Sequence, residues 1–146
     1  MMIKRTKINS GDIIIVPLSE GLIAVGIILH ISEKFRGSML VGYYNQAFES
    51  VADINITSLE NEFIDTPNYT NIGLVTEGPW EIIGNSPKLL ATAIIPELRV
   101  AYHIYYKDDI VKKVNLNEFR QYSVLEGQGQ MFIENKLRRY FAKKSI

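Results

Sequence analysis

The chain has 146 residues, enough for one domain that buries roughly 68–70% of its unfolded surface. Its 47% hydrophobic and 22% charged residues fit a globular protein and exclude a disordered one. There is no cysteine, which excludes disulfides and thiolate metal sites, and the formal net charge is zero.

Asp12 to Leu18 and Leu22 to Ile31 read as antiparallel strands joined by a tight Ser19-Glu20-Gly21 turn. The second run is apolar on both alternate faces, Ile23/Val25/Ile27/Leu29 against Leu22/Ala24/Ile28, which predicts a central strand covered on both sides. Gly26 within it predicts a bulge or a close backbone approach. Ser38 to Tyr44 reads as a third strand. Asn45 to Asn68 is irregular, with a short helix expected to begin at Thr57 or Ser58. Asn71 to Val75 and Trp80 to Ile83 read as strands split by a Glu77-Gly78-Pro79 turn.

Between Asn85 and Pro96 the two prolines suggest a loop around a brief strand. Val100 to Tyr106 and Ile110 to Leu116 read as a hairpin around Lys107-Asp108-Asp109. Gln130 to Lys144 reads as a helix, with Ile133, Leu137, Tyr140 and Phe141 on one face and Glu134 one turn before Arg138. No internal repeat or long linker divides the chain. The expectation is one α+β domain over 1–146, mainly antiparallel sheet in a partly barrel-like meander, with the C-terminal helix packed on it.

Lys4, Arg5 and Lys7 precede Ile13 to Val16 as in a secretory signal, but Asp12, Pro17 and Glu20 interrupt any apolar region of the usual ~7–15 residues. The longest apolar stretch, Leu22 to Leu29, is far short of the roughly 20 residues of a membrane-spanning helix. A cytoplasmic protein without membrane contact is expected.

The motifs give no catalytic constellation. His30 and His103 fall within strand patterns, without further ligands at metal-site spacing. Adjacent Asp108 and Asp109 suit a hairpin turn better than acid–base work. Gly127-Gln128-Gly129 lacks the Lys-Ser/Thr that completes a phosphate loop. The reading is no enzyme, no cofactor and no metal.

Charge is unevenly distributed. Between Gly37 and Pro87 there is no lysine or arginine, whereas Glu49, Asp53, Glu60, Glu62, Asp65, Glu77 and Glu81 are acidic. The basic excess gathers at Lys4, Arg5 and Lys7 and at Lys136, Arg138, Arg139, Lys143 and Lys144. A one-signed face of this size steers an oppositely charged partner. Tyr43 and Tyr44, consecutive on a strand, should point to opposite faces, one buried and one exposed, as should Tyr105 and Tyr106; the exposed member of the 43–44 pair, bordering the acidic segment, is the expected interface anchor. The candidate partner-binding residues are therefore Tyr43, Tyr44, Glu49, Asp53, Glu60, Glu62, Asp65 and Glu77. Trp80 is expected to be a structural anchor.

Four ordered phrases, spread end to end, resemble the bacterial immunity protein 26 family. They are Gly11, Asp12, Pro17, Leu18, Gly21 and Gly26; then Gly78, Trp80, Ile83 and Gly84; then the Tyr105-Tyr106-Lys107-Asp108-Asp109 turn. The last runs from Leu125 and Glu126 through Ile133, Glu134, Leu137, Arg138, Tyr140 and Phe141. Leu22 and Ile23 stand where the family commonly has an aromatic or basic residue, and the segment before Trp80 is this chain's own. The resemblance implies stoichiometric neutralisation of a cognate polymorphic or contact-dependent toxin, with Gly11, Asp12, Pro17, Gly26, Trp80 and Gly84 in structural roles. The acidic segment points to a basic toxin, a nuclease first, and no nucleic-acid partner. Two other classes stay open: a nucleic-acid-binding SH3-like barrel or ribonuclease-like toxin, and a small-ligand-binding β module.

Overall fold

The computed structural model describes residues 6–144, apart from the side chains of Glu20 and Lys144; Lys4 and Arg5 of the basic N-terminal group lie outside them. Among the described residues, ten strands form two mostly antiparallel sheets. Strands β1 (Asp12–Pro17), β2 (Ile23–Ile31), β3 (Ser38–Phe48), β4 (Asn68–Asn71) and β5 (Glu81–Asn85) belong to the first sheet, β6 (Glu97–Val100), β7 (His103–Tyr106), β8 (Asp109–Lys113) and β9 (Ser123–Val124) make the second, and β10 (Gly127–Gln128) returns to the first. The first has the order β10-β4-β3-β2-β1-β5 and the second β8-β7-β6-β9. The fold is α+β, but the sheets do not close into a barrel, because β5 and β10 remain separate edges.

The β-branched run of β1 and β2 places them at the middle of the first sheet, where both faces are buried. One face packs Ile14, Val16, Ala24, Ile28, Met39, Val41 and Tyr43 against Val75, Trp80 and the C-terminal helix α3 (Gln130–Lys144). The helix contributes Ile133, Leu137 and Phe141, with Tyr140 packed at the margin. The opposite face packs Ile13, Val25, Ile27, Leu29, Leu40 and Tyr44 against Leu59, Leu89 and, from the second sheet, Leu98. Each such fully buried Ile, Leu or Val contributes about 1.5–3 kcal/mol.

Close approaches fix the register. The β2–β3 ladder shifts between Ala24 and Gly26, and a Cβ on Gly26 would sit 3.1 Å from the Gly42 carbonyl oxygen. A Cβ on Gly42 would collide with the Phe63 ring at 2.6 Å. Gly11, at φ 90°, turns the chain into β1, and the buried Asp12 carboxylate accepts from the Asn9 N–H at 2.7 Å and from Asn85 Nδ2 at 2.9 Å. Pro17 ends β1 at an exposed position, and Gly84 faces the tip of Ile56.

Several sequence expectations are corrected. The strand expected at Asn71 to Val75 lies at Asn68–Asn71: Asn71 Oδ1 accepts from the Gly73 N–H at 2.7 Å, and the backbone turns into the single helical turn α1 (Gly73–Thr76). The loop expected between Asn85 and Pro96 holds helix α2 (Pro87–Thr92), with Pro87 in its first turn and Ser86 Oγ accepting from the Leu89 N–H at 3.1 Å. Val100 to Tyr106 is not one strand, because Ala101, at φ 50°, turns the chain between β6 and β7. The short helix expected from Thr57 or Ser58 is a 3₁₀ turn at Ile56–Ser58, after another at Val51–Asp53. No helix among the described residues is long and apolar enough to cross a membrane.

Candidate functional site

All seven acidic residues of the 37–87 segment are exposed. The topology divides them. Glu81 lies on β5, and Glu77 shares with it a hollow of about 460 Å³ beside Trp80. Glu60, Glu62 and Asp65 lie in the segment that runs along the second half of β3, where the Asn45 N–H donates to the Glu62 carbonyl at 2.9 Å and Tyr44 bridges to Phe63. In the sheet order β3 and β5 are separated by β2 and β1, so the two acidic groups flank different edges.

The segment beside β3 runs along α3. Phe132, Lys136 and Tyr140 recur every four residues and form one stripe of that helix. Lys136 Nζ meets Asp65 Oδ2 at 2.8 Å, and the Tyr140 hydroxyl donates to Asn45 Oδ1. The Lys136 ammonium also lies 5.5 Å from the Phe132 ring centre and 5.7 Å from that of Tyr43. Glu60 and Glu62 line a hollow of about 190 Å³ with Asn45 and Gln46. The result is an acidic strip with an apolar end at Phe132, which is 51% exposed; Met131, 75% exposed, is its neighbour in the first turn of the helix. Lys136 cancels part of the charge separation seen along the sequence.

Tyr43 and Tyr44 do not provide an exposed anchor. Their side chains point to opposite faces as expected, but both faces of the sheet are covered, leaving them 2% and 1% exposed. Tyr43 packs edge-on against Trp80 at 6.1 Å, and Tyr44 lies 5.2 Å from Phe63 with its hydroxyl donating to Asn61 Oδ1. Burial pushes both phenols well above their ordinary value, and the Asp65 charge adds to the effect at Tyr43. Tyr105 is half-buried and Tyr106 exposed. Met131 and Phe132 are exposed apolar residues that the sequence alone did not single out. The signal was present, because both apolar side chains fall outside the Ile133-Leu137-Phe141 face.

Trp80 lies at the junction of sheet and helix: it is 1% exposed and its Nε1–H donates to Glu134 Oε2 at 3.1 Å. Glu134 also lies 3.5 Å from the Arg138 guanidinium. Glu49 and Asp53 are exposed after β3, the first just before the 3₁₀ turn Val51–Asp53 and the second at its end.

A buried polar cluster lies elsewhere, where the β7–β8 turn meets the first sheet. Asp108 accepts from Ser32 Oγ at 2.9 Å and from the Glu33 N–H at 2.8 Å, and His30 Nε2 lies 3.0 Å from its Oδ2. The Tyr69 hydroxyl donates to the Lys107 carbonyl at 2.7 Å. Burial alone would raise the Asp108 carboxyl, but His30, the Glu33 N–H and Ser32 together outweigh it and hold the group below its ordinary value. The cluster has serine, histidine and aspartate, yet the hydroxyl donates to the carboxylate and not to the imidazole. It therefore holds no paired nucleophile and base. Its role is to clasp the two sheets. His103 is exposed on β7, and among the described residues no group of three His, Cys, Asp or Glu is placed to hold a metal ion.

No family model, curated protein or solved structure matches the chain.

Proposed function

We propose that this chain is a bacterial immunity protein that binds a basic cognate toxin in the cytoplasm and neutralises it stoichiometrically. The resemblance of its four phrases to the immunity protein 26 family suggests the function, and one observation carries it to a surface. Glu60, Glu62 and Asp65 form an exposed acidic strip beside α3, ending at the exposed Phe132. Such a surface combines long-range steering of a cationic partner with an apolar anchor. A nuclease domain, which must itself grip phosphate, is the partner class with the matching charge.

Steering and anchoring separate kinetically. The double variant Glu60→Lys/Glu62→Lys is expected to slow toxin association about tenfold at low salt, with the difference closing at high salt and little change in dissociation. Asp65 is left in place because Lys136 depends on it. Phe132→Ala is expected to act on dissociation, weakening the complex by about 2 kcal/mol. Stopped-flow binding at two salt concentrations measures both, and wild-type rates in the two variants would reject this surface.

A further inference from the structure

The second sheet carries a cation without a counter-charge. Arg99, half-buried on β6, stacks on Phe119 with its guanidinium carbon 3.5 Å from the ring centre. Phe119 also packs against Tyr102, whose ring centre is 5.4 Å away. Among the described residues no carboxylate lies within ion-pair distance of Arg99, and its buried Nε–H has no acceptor. Leaving that buried Nε–H without an acceptor is costly.

A second cation shares this face. In the strand register Arg99 lies opposite Ile104, and Ile104 opposite Lys112, so the two cations occupy one cross-strand row, roughly 9.5 Å apart at their Cα atoms. Lys112 Nζ lies 4.8 Å from the ring centre of Tyr122. Phe119 and Tyr122 belong to one segment folded around the 3₁₀ turn Phe119–Gln121. A single short stretch of chain therefore carries both stacking rings. The Tyr122 hydroxyl holds Lys112 above its ordinary value, with smaller contributions from the Glu97 and Glu118 charges, so the ammonium stays charged at neutral pH.

We propose that Arg99 and Lys112, backed by Phe119 and Tyr122, form a binding site for a phosphate group. A planar guanidinium fixed on an aromatic ring is pre-organised for two parallel bonds to an oxyanion, and two cations in one row suit a doubly charged phosphate better than a single carboxylate. The site lies on the second sheet, apart from the acidic strip, and does not depend on the toxin-binding reading.

Titration of the full chain with inorganic phosphate in low-salt buffer, followed by amide and guanidinium NMR shifts, tests it. Saturable shifts at Arg99, Lys112 and Phe119 are expected, with acetate binding more weakly. Arg99→Gln should weaken phosphate binding by about tenfold or more, and Arg99→Lys should fail to restore it, because a lysine keeps the charge but neither stacks nor forks. A parallel titration with a mononucleotide separates two sources of the same chemistry. Tighter binding than inorganic phosphate assigns the site to nucleotides, and equal binding assigns it to free phosphate. Shifts that do not saturate, that match those in chloride, or that persist unchanged in a folded Arg99→Gln variant overturn the proposal.

Discussion

Replacing Trp80 with alanine is expected to destabilise the protein by about 3–5 kcal/mol, the range for deleting a large aromatic side chain from a packed core. The side chain is fully enclosed where the sheet, α1 and α3 meet. Its loss removes the edge-on contact with Tyr43 and leaves Glu134 without the indole N–H it accepts from. Denaturant unfolding measures the effect, and Trp80→Phe separates its parts. Phenylalanine keeps most of the buried area but cannot donate to Glu134, so it should cost about 1–2 kcal/mol. An alanine variant as stable as the wild type would mean that α3 is not anchored through this residue.

Replacing Asp108 with asparagine is the second large change, expected to cost about 2–4 kcal/mol because it leaves buried donors facing an amide. One carboxylate oxygen accepts from Ser32 and the other from Glu33. An amide can accept through only one of its two heavy atoms. The variant also changes the acid response. The Asp108 carboxyl is held below its ordinary value of 3.8 in the folded protein, so its contribution is complete above that value and is lost as pH falls through the folded value. Unfolding free energy measured from pH 6 downward should therefore drop more steeply in the wild type than in Asp108→Asn at the acid end. Parallel curves would mean that the clasp contributes no proton-linked stability.

Legibility in the sequence followed the range of the forces involved. β1 and β2 could be read from their β-branched runs, and the covering of both faces of β2 from its two apolar alternations. The helix from Gln130 to Lys144 could be read to its ends from its apolar face. The same alternation misled at Tyr43 and Tyr44. It gave their opposite directions, but what covers each face comes from Trp80 and Phe63, which are distant in sequence. α2 was hidden by reading Pro87 as a loop boundary when Ser86-Pro87 is also a helix start. The β6–β7 turn has no glycine or asparagine, so nothing local announced it. The Asp108 clasp joins residues some 75 positions apart, and only the fold brings them together. The acidic residues were legible as a composition shift, but their division between two edges and the pairing of Asp65 with Lys136 were not.

With Tyr43 and Tyr44 buried, the proposed toxin contact rests on what the fold leaves outside. Along α3 that is the strip from Glu60 and Glu62 past Asp65 to Phe132. The most direct measurement is affinity capture by the full chain from its source cells at low salt, with the bound material identified by mass spectrometry and repeated with Glu60→Lys/Glu62→Lys. One basic toxin domain, recovered in near-equal amount by the wild type, released by high salt and depleted in the variant, is the expected result. Recovery of nucleic acid in place of a protein, of an acidic partner, or of nothing from cells known to express the toxin would contradict it.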